Sequence, residues 1–165
     1  MIGAMRGFMT ALCAGCIAGA AFAQTGIAPP GDELPIHIAA RSGDAATVKR
    51  LLAAEPTLRD KPTAYGSTPL HLAAMNADSG PLKVLLAAGS AVHARDREGA
   101  TPLHMAAYAS RTANAQLLLE AGADPRLKSH IGRDVLSMAR KVQANELAGV
   151  VSLWLLKNCQ PGQAC

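Results

Sequence analysis

Pro35, Pro69 and Pro102 recur at steps of 34 and 33 residues, and His37, His71 and His104 keep the same steps. Gly66, Gly99 and Gly132 follow at 33 each, and leucine pairs return as Leu51-Leu52, Leu85-Leu86 and Leu118-Leu119. A period of this length constrains the fold more than any composition can. Each copy must form the same small unit, and the units must pack on one another. A fourth copy is degenerate: "GRDVLSMARKVQANELAGVVSLWLLKN" keeps Gly132, Leu136 and Ala139 but has Ser137 where the histidine would stand.

The second copy shows what the unit is. Thr68 suits a helix N-cap and Pro69 the first helical position, so a helix starts there. It runs over Leu70, Leu72, Ala73 and Ala74 and breaks near Asp78-Ser79-Gly80. Pro81 opens a second helix, "PLKVLLAA", which Gly89 stops in the manner of a C-terminal glycine. The polar stretch "SAVHARDREG" then makes a turn-like connector ending at Gly99. Two short helices and a turn leave an apolar face without a partner, and only stacked copies supply one. The chain has 50% hydrophobic but only 3% aromatic residues, so its core must be built from Ala, Leu, Val and Met. Those small and unbranched residues suit closely packed helices.

"GSTPLHLAA" with "LLAAGSAVHARD", and "GATPLHMAA" with "LLLEAGADP", resemble ankyrin repeats. The resemblance covers about residues 32–158 and implies an all-α ankyrin-repeat solenoid of helix-turn-helix units with short finger connectors. The repeats fall at about 32–65, 66–98, 99–131 and 132–158. The outer copies depart from the pattern. The first has Leu34 in place of the threonine cap and Glu55-Pro56 where the family has glycine. The fourth has lost "TPLH" and carries Arg140, Lys141, Gln143, Asn145 and Glu146, as expected where an outer face meets water.

The repeated histidines invite a metal or catalytic reading. Stacking separates equivalent side chains by one helix-to-helix distance, about 8–10 Å, whereas a metal needs its nitrogens within about 2.1 Å of one ion. No Ser, Cys or carboxylate recurs with them as a nucleophile's partner. His71 stands three residues after Thr68, and His104 three after Thr101. That is capping-box spacing, with imidazole replacing the usual Glu or Gln. Thr68, His71, Thr101, His104 and His37 are therefore expected to be structural residues of helix starts. The composition and motifs assign no catalytic residue, cofactor or metal. No phosphate-cradling glycine loop, paired-carboxylate pattern or His-Glu zinc motif is present.

Function must then lie in the positions that vary between copies. Solenoids bind along the extended concave surface made by inner helices and connectors. The residues after each alanine pair are Arg41, Met75 with Asn76, and Tyr108; the finger tips offer Tyr65, Arg95, Arg97, Lys128 and His130. Tyr, Met and Arg are enriched in protein interfaces. These residues are the candidate partner-binding set, and Arg126, Lys128 and Arg133 make the third finger basic. The net charge of +4 is spread along the chain with no aromatic interleaving, which argues against nucleic acid.

The first 23 residues read differently from the rest. Arg6, an apolar run from Gly7 to Ala23 and a terminal Ala21-Phe22-Ala23 have the order of a secretory signal peptide, with cleavage expected after Ala23. An uncleaved anchor and a lipid-anchored form at Cys16 are the alternatives. Against an anchor, the run is short and rich in Gly and Ala. Against lipidation, Cys13 stands where a lipoprotein signal carries Leu. Residues 24–31 then form a flexible linker. Cys159 and Cys165 remain in the mature chain and bracket the turn pair Pro161-Gly162, which suggests a disulfide loop; free or intermolecular thiols are the alternative.

The expected protein is thus a monomeric, non-enzymatic protein-binding module exported to a periplasm or secreted. Its partner is a protein, with no nucleic acid and no membrane insertion after cleavage. An inhibitor or immunity partner of an envelope or secreted enzyme is an alternative task. A membrane-tethered structural protein is a further one.

Overall fold

Each copy of the repeat becomes a pair of antiparallel helices followed by a turn. In the computed structural model, which describes residues 33–157, the pairs are α1 (Pro35–Ser42) with α2 (Ala45–Ala54) and α3 (Pro69–Met75) with α4 (Gly80–Ala87). The next are α5 (Pro102–Tyr108) with α6 (Thr112–Glu120) and α7 (Val135–Lys141) with α8 (Asn145–Leu156). The described residues contain these eight α-helices and no strand. The signal-like segment, Cys13, Cys16, the 24–31 linker and the tail holding Cys159 and Cys165 lie outside the described residues.

The first helices form an inner row, α1 on α3, α3 on α5 and α5 on α7. The second helices form an outer row, in which α2 packs on α4 and α6 on α8. The pairs Ala39-Ala40, Ala73-Ala74 and Ala106-Ala107 are buried in the inner row. Their methyl side chains let successive backbones approach closely. Ile36, Leu70, Leu103 and Val135 fill the space at the helix starts, and Leu82, Leu85, Leu118, Leu119, Leu147 and Val151 fill it from the outer row. All ten are completely buried, so truncating any of the leucines to Ala costs about 2–5 kcal/mol.

The turn inside each pair does not repeat as faithfully. Gly43 takes a left-handed conformation at φ 90°, which glycine adopts without penalty. Ser110 and Gln143 occupy the same slot at φ 56° and 59°, and for them the conformation costs about 1–2 kcal/mol. In the second copy the slot holds Ala77, and the chain leaves the helix early: Asn76 is extended, at φ −72° and ψ 151°. The freed carbonyls of α3 are taken up by the third copy. Asn114 Nδ2 donates to the oxygens of Ala73 (3.3 Å), Ala74 (3.1 Å) and Asn76 (2.8 Å), and Arg111 Nε to that of Met75 (3.0 Å).

The fingers are three copies of one turn. Thr63, Asp96 and Ser129 each donate their N–H to the carbonyl four residues on, at Ser67, Ala100 and Arg133. Each also accepts from Gly66, Gly99 or Gly132, whose φ values are 77°, 72° and 74°. Neighbouring fingers are tied tip to tip, Arg97 N–H to Tyr65 O at 3.0 Å and His130 N–H to Glu98 O at 2.8 Å. The 34-residue first step places its additional residue before the first finger, where Pro56–Asp60 forms a 3-10 helix. Arg59 and Asp60 from this helix reach the second copy, donating to Ala88 O (2.9 Å) and accepting from Ala91 N–H (2.9 Å).

Candidate functional site

The repeated histidines are buried, each with both ring nitrogens occupied. Nδ1 of His71 accepts from Thr68 N–H at 3.1 Å and lies 2.9 Å from Thr68 Oγ1; Nδ1 of His104 makes the same pair with Thr101 at 3.2 and 2.9 Å. With Nδ1 an acceptor, the network assigns the proton to Nε2. Nε2 then donates across to the next finger, at Ala100 O (3.2 Å) and Arg133 O (3.1 Å). His37 repeats the arrangement without a hydroxyl, taking Leu34 N–H at 3.0 Å and giving to Lys61 O at 2.7 Å. These rings have no lone pair left for a metal. Burial is the main cause holding His71 and His104 below the ordinary histidine range, since the charged form cannot be hydrated there.

In the fourth copy the same slots hold a different cap. Asp134 Oδ1 accepts from Ser137 N–H at 2.7 Å and Ser137 Oγ at 2.6 Å, and these bonds lower its pKa below the ordinary aspartate value. Ser137 caps locally and makes no cross-finger hydrogen bond among the described residues.

The concave side carries one groove built from three copies. It has a volume of about 710 Å³ and is lined by Met75, Met105, Tyr108 and Met138 from the inner helices and by Arg97, Glu98, His130 and Ile131 from the fingers. Arg133, Lys141 and Val142 complete the rim at the fourth copy. Met105 and Met138 stand one residue after the histidine slot, where Leu72 and Ile38 stand in the earlier copies. That slot follows the capping ring and precedes the buried alanine pair, so its side chain projects onto the inner face. Tyr108 is 59% exposed and Ile131 67% exposed, both large apolar groups left in water.

Four of the residues singled out from variability meet here: Met75, Arg97, Tyr108 and His130. The others lie elsewhere. Arg41 is exposed on the first copy and pairs with Glu33 through two bonds, the longer 2.8 Å. Tyr65 is exposed at the first finger tip, and Lys128 on the third finger. Asn76 and Arg95 are partly spent on the scaffold. Asn76 Nδ2 donates to Arg41 O at 2.6 Å, and Arg95 Nη1 to Gly99 O at 2.9 Å and Lys128 O at 2.8 Å. Met105 and Met138 were not legible as site residues from variability. Their slots look like packing positions, and the signal that marks them is the recurrence of an apolar residue between the histidine slot and a buried alanine.

The family model for ankyrin repeats, in three copies, matches residues 36–129. The chain is an ankyrin repeat protein. No curated protein matches it as a relative. Ankyrin repeats are generic protein–protein interaction modules and typically non-enzymatic. The described architecture accords with that role: inner helices and fingers together present exposed side chains such as Tyr108 and Ile131. Among the described residues no helix is long and apolar enough to cross a membrane.

Proposed function

We propose that this chain is an exported protein-binding module that docks a partner protein in the groove between its second and fourth repeats. The observation that carries this reading is the convergence of Met75, Met105, Tyr108, Met138 and Ile131 on one concave site. Tyr108 and Ile131 are exposed beside the half-buried methionines, and exposed apolar groups rimmed by polar ones mark an interaction site. The rigidity of the stacked repeats supports tight docking, because little conformational freedom is lost on binding. Export rests on the N-terminal signal-like segment; it predicts a mature chain beginning at Gln24 in the periplasmic fraction.

Site-specific photo-crosslinking in the producing cell tests the binding face. A photoreactive residue at Tyr108 is expected to yield a discrete adduct with a partner, and one at Gln116 on the outer row none. Adducts at Gln116 with none at Tyr108 would place binding on the other face. N-terminal sequencing of the fractionated protein tests export separately.

A further inference from the structure

Resting on the concave-face reading, we infer that the groove selects an acidic peptide segment of its partner, carrying at least one large apolar side chain. Two features of the site argue this together. The first is its floor. Met75, Met105 and Met138 are unbranched and conform to apolar groups of different shape, so they provide attraction with little discrimination. The volume of about 710 Å³ lies within the roughly 300–1,000 Å³ of ligand clefts and leaves room for an apolar anchor.

The second feature is charge. The lining holds Arg97, Arg133 and Lys141 against one carboxylate, Glu98. None of the three cations makes an ion pair or a side-chain hydrogen bond among the described residues. The ion pairs found there are Arg41–Glu33 and Arg59–Asp60, both in the first copy. The neighbouring carboxylates Asp96 and Asp134 do not line the groove and are held by Glu98 and Ala100 N–H and by Ser137. The lining is thus net positive, three unpaired cations against Glu98, and favours an incoming carboxylate over an incoming lysine. A single-stranded nucleic acid would also seek the cations. It would find one phenol, Tyr108, and one imidazole, His130, in the groove lining, with thioethers in place of the further stacking platforms that bases need.

The test uses the mature chain and short fluorescent peptides of one length, followed by fluorescence anisotropy. One peptide combines Asp and Glu with Leu and Phe. A second replaces its acids by Asn and Gln, a third replaces them by Lys, and a fourth keeps the acids but replaces the apolar residues by Gly and Ser. Three exposed ion pairs together amount to about a tenfold change in affinity. The acidic apolar peptide should bind best, the neutral one about tenfold more weakly, and the basic and the all-polar ones not measurably. In the triple variant Arg97→Gln, Arg133→Gln, Lys141→Gln the acidic peptide should fall to the affinity of the neutral one, which itself should not change. All three side chains lie on the rim, and an unchanged thermal melt would show the variant folded. If it does not fold, Lys141→Glu alone, which should shift preference toward the basic peptide, decides the question.

Equal binding of neutral and acidic peptides overturns the inference. So does an oligonucleotide that binds as tightly as the acidic peptide. A chain that sediments as a dimer and returns to monomer on Met105→Asp would assign the groove to a second copy, also against it. Failure of every peptide while the Tyr108 cross-link persists defeats the peptide chemistry and leaves the concave-face reading standing. Loss of the cross-link as well defeats both.

Discussion

The side-chain amide of Asn114 donates to the backbone carbonyl of Asn76 at 2.8 Å, reaching from the third repeat into the unwound helix end of the second. The same nitrogen serves Ala73 and Ala74, and its oxygen accepts from Ser79 Oγ at 2.6 Å. Asn114 is almost wholly buried, so without it the buried Ala74 carbonyl loses this donor and Ala73 O keeps only its bond from Asn76 N–H. Asn114→Ala should cost about 1–3 kcal/mol, the penalty for unsatisfied buried acceptors. Urea unfolding checks this, and a cost near zero would mean that water replaces the amide.

The capping histidines give a second expectation. His71→Ala and His104→Ala each remove a buried ring that ties a helix start to the next finger. Each should lower stability by about 2–4 kcal/mol, combining lost hydrogen bonds with a cavity. By contrast, Tyr108→Ala and Ile131→Ser change exposed side chains and should stay within about 0.5 kcal/mol. Thermal melts of the four variants beside the Tyr108 cross-link separate scaffold from binding face. Unchanged melting of the histidine variants with lost binding would reverse the assignment.

Acid should destabilise the fold through the same two rings. Burial holds His71 and His104 below the ordinary value of 6.5. Below pH 6.5 the unfolded chain therefore binds protons that the folded chain refuses, and stability rises with pH in that window. Their contribution is complete above about 6.5 and is lost as pH falls from there through the lowered folded values. Protonation would also place an N–H on Nδ1 facing the N–H of Thr68 or Thr101. Urea midpoints between pH 7.5 and 5 should fall, and fall less in His71→Gln. An identical slope in that variant would assign the acid sensitivity elsewhere.

Two finger glycines of the same conformation should respond unequally to Ala. At Gly99 an added Cβ would lie 2.5 Å from His130 Cδ2, whereas at Gly132 nothing lies within 4 Å. Gly132→Ala should cost about 1–2 kcal/mol for its left-handed backbone alone. Gly99→Ala should cost more, and His130→Ala should recover the excess in the double variant. A double-mutant cycle with no coupling would mean that the imidazole simply swings aside.

The opposite substitution should help at the interhelical turns. Ser110 and Gln143 hold a left-handed backbone that Gly43 adopts freely in the first copy. Ser110→Gly and Gln143→Gly should each stabilise by about 0.5–1 kcal/mol, the conformational gain less glycine's entropy cost in the unfolded chain. A loss of stability in urea melts would show that the side chains make compensating contacts.

Much of the architecture was legible because its signals are local. Thr68 and Pro69 act on the backbone of the helix they begin, and Gly66, Gly99 and Gly132 act on the turn in which they sit. The candidate site was legible only in part. Variability marked Met75 and Tyr108, but passed over Met105 and Met138, whose slot holds Leu72 in the second copy and looks like core. It also marked Asn76 and Arg95, whose side chains the scaffold partly uses, since exposure and variability do not reveal a hydrogen bond to a residue about 35 positions away.

By itself the sequence determined the repeated unit, its period, its helix starts and its all-α stacked class, since each follows from residues within a few positions of one another. Only the tertiary structure decided which exposed side chains share a groove, and that Asn114 completes the broken helix end of the preceding copy. Those relationships join residues about one repeat apart, and their distances depend on how closely the alanine-faced helices stack.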